Sequence, residues 1–326
     1  MQQLFQSPFR QMDHLAEEGK SFFFLINFEV TDVILFTEEE LREDSELYFQ
    51  FPKAGNFTKT KKENINFEWT TYPESLESFQ KGFDKILTGL KRGNSYLANY
   101  TRKTKIETNL SLKTIFENAE AKYKILYKDQ FVCFSPETFI EIKNHRITTH
   151  PMKGTIDADL PNAAEILRSD IKEKAEHYTV VDLLRNDLSM VANNVKVDEF
   201  QRLDYIKTRH KNLYGMSSEI SGEVKPVFKN KIGSIIEKLL PAGSILGAPK
   251  PKTLEMVLEA EGYNREFYTG VAGWYDGENL DSCVMIRFIE KENEEMFFKS
   301  GGGITHMSKL EDEYNEMKNK IYVPIY

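Results

Sequence analysis

The chain has 326 residues, enough for one large or two ordinary domains, and its 40% hydrophobic and 29% charged residues are those of a globular protein. A formal charge of −8, with acids and bases interspersed, argues against nucleic acid or an anionic membrane as partner. No apolar run approaches the roughly 20 residues that span a bilayer, and the first residues lack a charged segment followed by an apolar one, so a cytoplasmic protein without a signal peptide is expected.

Residues 22–36 are rich in Phe, Ile and Val and read as one or two buried strands. Residues 37–46 read as a loop or short exposed helix, and the basic stretch 52–62 as a surface hairpin or loop. Leu76, Phe79, Phe83, Ile86, Leu87 and Leu90 recur at helical spacing, which predicts a helix over 74–91 stopped by Gly93. Residues 94–107 read as a long strand and 112–124 as a second helix. Residues 131–152 read as a hairpin with arms 138–142 and 146–149. A three-residue loop at 144–146 sets Lys143 opposite Ile147 and, further out, Glu137 opposite Lys153; a two-residue loop sets Met152 opposite Glu137. Either register leaves a carboxylate and a lysine close at the open end.

Residues 162–191 read as helical with a break near Asn186 and a buried stripe of Ala164, Leu167, Ile171, Ala175 and Tyr178. A mixed segment follows, then a helix over 232–240, a Gly-rich loop over 241–250 and a helix to Glu261. Strands over 268–275, 280–289 and 296–300 form a meander, with turns at Asp276-Gly277 and 291–295. Gly301-Gly302-Gly303 ends the last strand. Ser308 and Glu311 then make a capping box opening a final helix striped by Leu310, Tyr314, Met317 and Ile321. Cys133 and Cys283 fall in strand-like runs and are expected as buried free thiols; no Cys/His cluster has zinc spacing. No linker or repeat divides the chain, so one α+β unit is expected.

The chemistry on offer is concentrated. Lys153 precedes Gly154 and Thr155 at a predicted strand end. A glycine there lets the backbone turn so that the lysine points into a cleft, where a desolvated amine can lose its proton and become a nucleophile. Two helices each carry a Glu-x-x-Glu pair beside a buried stripe, Glu173/Glu176 and Glu313/Glu316. Mg²⁺ takes carboxylates, waters and substrate oxygens, and four facing glutamates would repel without a cation. Gly301, Gly302 and Gly303 can form an anion nest. Arg287, in the apolar run VMIRFI, is either an edge residue or an anion clamp. The loop 243–250 is not a phosphate loop, because it lacks the spacing GxxxxGK[ST]. His150 and His177 read as hydrogen-bonding structural histidines.

Four blocks, PMKGT (151–155), KEKAEHYTVVDLLRNDL (172–188), PAGSILGAPK (241–250) and GGGI with SKLEDEYNE (301–316), together resemble the chorismate-utilising enzymes. They occur in family order over about 131–320. Residues 1–110 are shorter and divergent, with likeness confined to GNSYLANYT (93–101). The resemblance implies one synthase domain over 1–326, built of two packed antiparallel sheets with helices outside and the active site in the cleft between them. It implies Mg²⁺ held by Glu176 and Glu316, with Glu173 and Glu313 in its water shell, binding the ring carboxylate of chorismate. Gly301, Gly302 and Gly303 would complete that carboxylate site, Arg287 and Tyr268 would hold the enolpyruvyl group, and Thr155 would lie beside the substrate.

Lys153 resembles the pattern of the aminodeoxychorismate synthases, where anthranilate synthases usually carry alanine. Leu97 matches the position of the water-activating lysine of isochorismate and salicylate synthases. Glu137, in Ser135-Pro136-Glu137, matches the family's general acid. The resemblance thus implies amination of chorismate at C4, in the para-aminobenzoate branch toward folate, with Lys153 as nucleophile. No glutaminase nucleophile motif is present, so ammonia is expected from a separate glutamine amidotransferase subunit. The family often has a histidine near the match to Gly215, within NLYGMSSEISG (212–222), and it is absent here. The alternatives are another chorismate-utilising enzyme, such as an anthranilate synthase, and an inactive carboxylate-binding subunit.

Overall fold

The computed structural model describes residues 7–43, 46–58, 65–206 and 212–325; the side chains of Thr155, Lys172 and Ile206 lie outside that description, as does the part of the 52–62 stretch from 59 onward. The apolar runs build two sheets in which every pairing is antiparallel. The first sheet runs in the order Met152–Asp157, Leu213–Val224, Arg146–Thr149, Thr138–Lys143, Leu280–Val284, Val271–Tyr275, Phe22–Ile26 and Val33–Thr37. Ala192–Ile206 pairs with Leu213–Val224 along its other side. The second runs Gly247–Ala248, Leu97–Thr108, Glu295–Ile304, Phe288–Glu292, Phe131–Ser135, Tyr123–Tyr127 and Leu47–Gln50, with Trp69–Tyr72 also paired to Leu97–Thr108.

The sheets meet across an aromatic core. Phe23 of the first sheet lies 4.5 Å, ring to ring, from Phe49 of the second, and Leu25, Ala272 and Cys283 pack with Tyr123, Ile125 and Cys133. Large aromatic side chains bury much apolar area each, so this seam holds the sheets together. Both cysteines are buried free thiols.

Two of the places where the chain changes sheet are short crossings of two or three residues, and both were hidden in the sequence. Phe131–Ser135 belongs to the second sheet and Thr138–Lys143 to the first, so Pro136 and Glu137 span the gap. Leu280–Val284 belongs to the first and Phe288–Glu292 to the second, so Met285, Ile286 and Arg287 span it, Arg287 at φ +55°. Hydrophobic patterning runs through the second switch apart from Arg287, and the break at Ser135-Pro136-Glu137 does not say which sheet follows, so neither marks the change of sheet.

Several local expectations also change. The helix after Ser111 ends at Asn118, because the run Tyr123–Tyr127 is a fully buried strand. Lys143 pairs with Arg146, not Ile147, around a two-residue turn with Asn144 and His145 both at positive φ. The helical region breaks at Asp170, not Asn186, giving Ala163–Ser169 and Ile171–Val191; Asp170 accepts the Glu173 N–H at 2.9 Å. Ile171 and Tyr178 are 79% and 56% exposed, so the buried face of that helix is instead His177, Val180, Val181, Leu184 and Leu188. The mixed segment holds the two long strands Ala192–Ile206 and Leu213–Val224. The Ser308–Glu311 box does not form; Ser308 Oγ accepts from Thr305, and the helix Leu310–Asn319 opens after Lys309.

One buried ion pair fixes the floor of the cleft. Arg265 is fully buried, and its guanidinium donates to both Glu261 carboxylate oxygens at 2.6 and 2.8 Å. It also donates to the carbonyls of Asn99 at 2.6 Å and Ile245 at 3.0 Å, tying three segments together. Removing one partner of such a pair leaves an uncompensated buried charge. Arg265→Met is expected to cost about 3–5 kcal/mol of stability, measured by denaturant unfolding; a loss within error would show that the pair organises nothing.

Candidate active site

A cavity of about 1400 Å³ is lined by both crossings, by the Lys153 strand, by the glycine run and by two glutamate helices. Each wall follows from local sequence. After Arg146–Thr149 the chain leaves the sheet at His150-Pro151 and re-enters as Met152–Asp157. Lys153 therefore lies inside a strand, opposite Met216, rather than at a strand end opposite Glu137. Gly154, at φ +73°, carries a register shift between Lys153 and Thr155. A Cβ there would lie 2.7 Å from Glu173 Oε2, so glycine lets the strand pass the glutamate helix closely. The backbone of Thr155 lies opposite Gly215; its side chain is outside the described residues.

Gly301, Gly302 and Gly303 stay in the ladder opposite Thr101, Tyr100 and Asn99, none at positive φ. They neither end the strand nor form a nest. What they supply is space. A Cβ on Gly303 would stand 3.5 Å from Lys153 Nζ and 3.9 Å from Glu176 Oε2. A Cβ on Gly302 would stand 3.1 Å from Glu316 Oε1 and 3.5 Å from Glu313 Oε2. The glycine strand is thus the seam on which the lysine and the two glutamate pairs converge, with Glu173 on the far side of Gly154. Glu176 and Glu313 are buried, whereas Glu316 is more open.

Sequence reasoning missed Lys320. Its ammonium donates to Glu316 Oε1 at 2.7 Å and to the Gly301 carbonyl at 2.8 Å. Burial, with the charges of Arg287 and Lys153, holds this lysine below the ordinary range against the pull of Glu316. The only signal was the four-residue spacing from Glu316, common to any solvated helix. An all-oxygen donor set suits a hard divalent cation, and the glycines leave the room a Cβ would fill beside Glu176, Glu313 and Glu316. Among the described residues no three acidic, His or Cys side chains are already gathered as a metal site. A cation taking Glu316 would have to displace the Lys320 ammonium. On donor chemistry and space the residues fit Mg²⁺.

Glu137 hangs from the first crossing. Accessible surface makes it only half-buried, because the cavity reaches it, yet protein surrounds it, and that depth governs its charge. Burial raises its pKa; the Ser244 hydroxyl, donating to Oε1 at 2.7 Å, and the charges of Lys153, Lys320 and Arg287 pull it back. Ser244 comes from the Gly-rich loop and was not foreseen. Arg287 and the buried Tyr268 line the cavity, and the Arg287 guanidinium lies 5.2 Å over the Tyr322 ring. Leu97 is buried, with Cδ1 3.1 Å from the Gly303 Cβ position, so the seam is apolar on that side. His177 is fully buried, its Nε2 2.7 Å from Ser218 Oγ; burial and the Lys153 charge bring its pKa down to about 4. His150 stands between the carboxylates of Glu141 and Glu219, at 3.5 and 4.0 Å. No described helix is long and apolar enough to cross a membrane.

Two antiparallel sheets, a carboxylate-rich cleft and helices outside define an α+β fold of the anthranilate synthase component 1 type. The crystal structure of anthranilate synthase component I from Streptococcus pneumoniae superposes with a TM-score of 0.73 at 17% identity, over 98% of this chain and 85% of that one. The chain belongs to the chorismate binding enzyme family, whose model matches residues 10–325. It is 45% identical over 317 residues to an uncharacterized PabA-like protein of Pasteurella multocida, covering 97% of this chain and 98% of that one. Identity is 32% over 200 residues to anthranilate synthase component 1 of Saccharomyces cerevisiae, covering 59% and 39%. It is 28% over 266 residues to aminodeoxychorismate synthase component 1 of Bacillus subtilis, covering 77% and 55%.

Proposed function

We propose that the chain aminates chorismate at C4, giving 4-amino-4-deoxychorismate. The observation that carries this reading is Lys153, whose Nζ reaches the glycine seam beside Glu176 in the cavity that Glu137 also lines. Arg287 and Tyr268 hold the enolpyruvyl group, and Glu176 and Glu316, backed by Glu173 and Glu313, hold Mg²⁺. Bound Mg²⁺ would supply positive charge to anchor the ring carboxylate. The neutral Lys153 amine forms a bond to C2, the two ring double bonds shift, and the C4–O bond breaks. Glu137 gives its proton to that oxygen, which leaves as water. Ammonia then bonds to C4, the double bonds shift back and the C2–N bond breaks, releasing Lys153; the surplus proton on nitrogen returns to Glu137. Apolar Leu97, buried at the seam, supplies no base for water, which argues against hydroxyl transfer.

The test is incubation with chorismate, MgCl₂ and an ammonium salt, followed by mass spectrometry and NMR. A product that keeps the enolpyruvyl group and bears nitrogen para to the carboxylate is expected. Anthranilate and pyruvate would instead assign ortho amination, the reading to which the yeast relative lends weight. Unchanged chorismate would indicate a binding subunit.

Two further outcomes follow. Glutamine alone should give no turnover, because burial pushes both thiols up and neither lies in a glutaminase setting. Turnover with glutamine by the chain free of other proteins would remove the need for an amidotransferase partner. Glu176→Gln should raise the half-saturating Mg²⁺ concentration by about tenfold or more without changing the circular dichroism spectrum. An unchanged calorimetric Mg²⁺ affinity would release Glu176 from the metal role.

A further inference from the structure

A buried imidazole joins the helix bearing Glu173 and Glu176 to Leu213–Val224, the strand paired with the one bearing Lys153. His177 directly follows Glu176, and its ring is fully buried. Nε2 lies 2.7 Å from the Ser218 hydroxyl. The Ser218 backbone N–H donates to the Pro151 carbonyl at 3.0 Å, two residues from Lys153. Ser218 is itself fixed, because its hydroxyl accepts the Gln201 N–H at 3.1 Å. Phe200 packs against the ring at 5.6 Å.

This arrangement is not what core packing alone would select. His177 Nδ1 is buried and takes no hydrogen bond among the described residues. An unsatisfied buried polar atom costs about 1–3 kcal/mol, a cost that a leucine or phenylalanine here would avoid. The Ser218 bond is therefore the feature that distinguishes histidine from an apolar residue. Gly154 also passes close to Glu173, where a Cβ would lie 2.7 Å from Oε2. A hydrogen-bonded path from the helix toward the strand runs through His177 and Ser218 to Pro151.

We infer that His177 is a positioning residue that locks the glutamate helix to the lysine strand, so that a divalent cation settling on the glutamates also orders Lys153. The inference rests on the proposed roles of Glu176 and Lys153 and extends them: metal and nucleophile become one coupled unit. Order would pass from Glu176 to His177, across Ser218 to Pro151, and so to Lys153.

Hydrogen-exchange mass spectrometry of the full chain, with and without MgCl₂, tests this without any turnover. In the wild type, Mg²⁺ should slow exchange in residues 171–180 and also in 151–155, the latter by about fivefold or more. In His177→Phe the helix segment should still be slowed, while 151–155 becomes indifferent to Mg²⁺. His177→Gln, whose amide can reach the Ser218 hydroxyl, should restore the effect on 151–155. Ser218→Ala should behave like His177→Phe, and decides the matter alone if the phenylalanine variant does not fold. Equal slowing of 151–155 in His177→Phe or Ser218→Ala and in the wild type overturns the coupling. Slowing of the helix but not of 151–155 in the wild type overturns it too. If Mg²⁺ slows neither segment in the wild type, the metal role of Glu176 falls first and the coupling falls with it.

Discussion

Lys153→Ala is expected to abolish para amination while leaving the fold intact. The side chain projects into the cavity rather than into the aromatic seam, so truncation removes little packing. Its chemical effect is large, because direct attack by ammonia on chorismate has no first displacement to prepare C4. The expected loss is on the order of 10³-fold or more, as for other nucleophiles removed from a unit that acts together. Residual amination should appear at C2, as an ortho product. With ammonia withheld, the wild type should hold a covalent adduct on the peptide bearing Lys153, heavier by chorismate less water. Mass spectrometry of the digested protein reads both results. Near wild-type formation of 4-amino-4-deoxychorismate by the alanine variant, with no adduct in the wild type, would show that Lys153 is a strand residue with no covalent role.

How much of this was legible in the sequence depends on the scale of the signal. The aliphatic and aromatic runs at 22–36 and 271–284 gave their strands, and the spacing over 76–90 gave its helix, because burial there repeats at a fixed period. The resemblance supplied the two-sheet cleft. What patterning could not show was which sheet a strand joins. Glu137 and Arg287 owe their positions to these two short crossings, and at neither does the polarity pattern say which sheet the next strand joins. The strand Ala192–Ile206 was missed for a different reason. Among the described residues it pairs only with Leu213–Val224, and it carries Lys196, Asp198, Glu199, Arg202 and Asp204, so it lacks a clean alternation. Charged residues on such an edge discourage pairing with other chains. Lys320, Ser244 and Arg265 were invisible because each also bonds a partner distant in sequence, beyond the four-residue pairs with Glu316 and Glu261. Nothing in a single chain records that Ser244 reaches Glu137 across 107 residues.

Glu137→Gln is the companion test, and its pH dependence separates a proton donor from a merely polar wall. The amide has the carboxyl's size and can still accept the Ser244 hydroxyl, so the site keeps its shape. It has no proton to give the departing oxygen, and losses of general acids fall at about 10²- to 10⁴-fold in rate. In the wild type the acting form is the protonated one. Burial raises the Glu137 pKa, so the acid stays loaded to higher pH than an exposed glutamate, and activity should fall as pH rises through that raised value. The Ser244 hydrogen bond stabilises the ionised form and works against burial. Ser244→Ala should therefore raise the pKa further and move the alkaline limb of the pH–rate profile upward. Other charged groups in the cleft shape the profile as well, so the comparison between variants carries the assignment. The limb should vanish from what activity Glu137→Gln retains. A limb that stays in place in both variants belongs to another group, and the proton for the leaving oxygen would then have to come from elsewhere in the cleft.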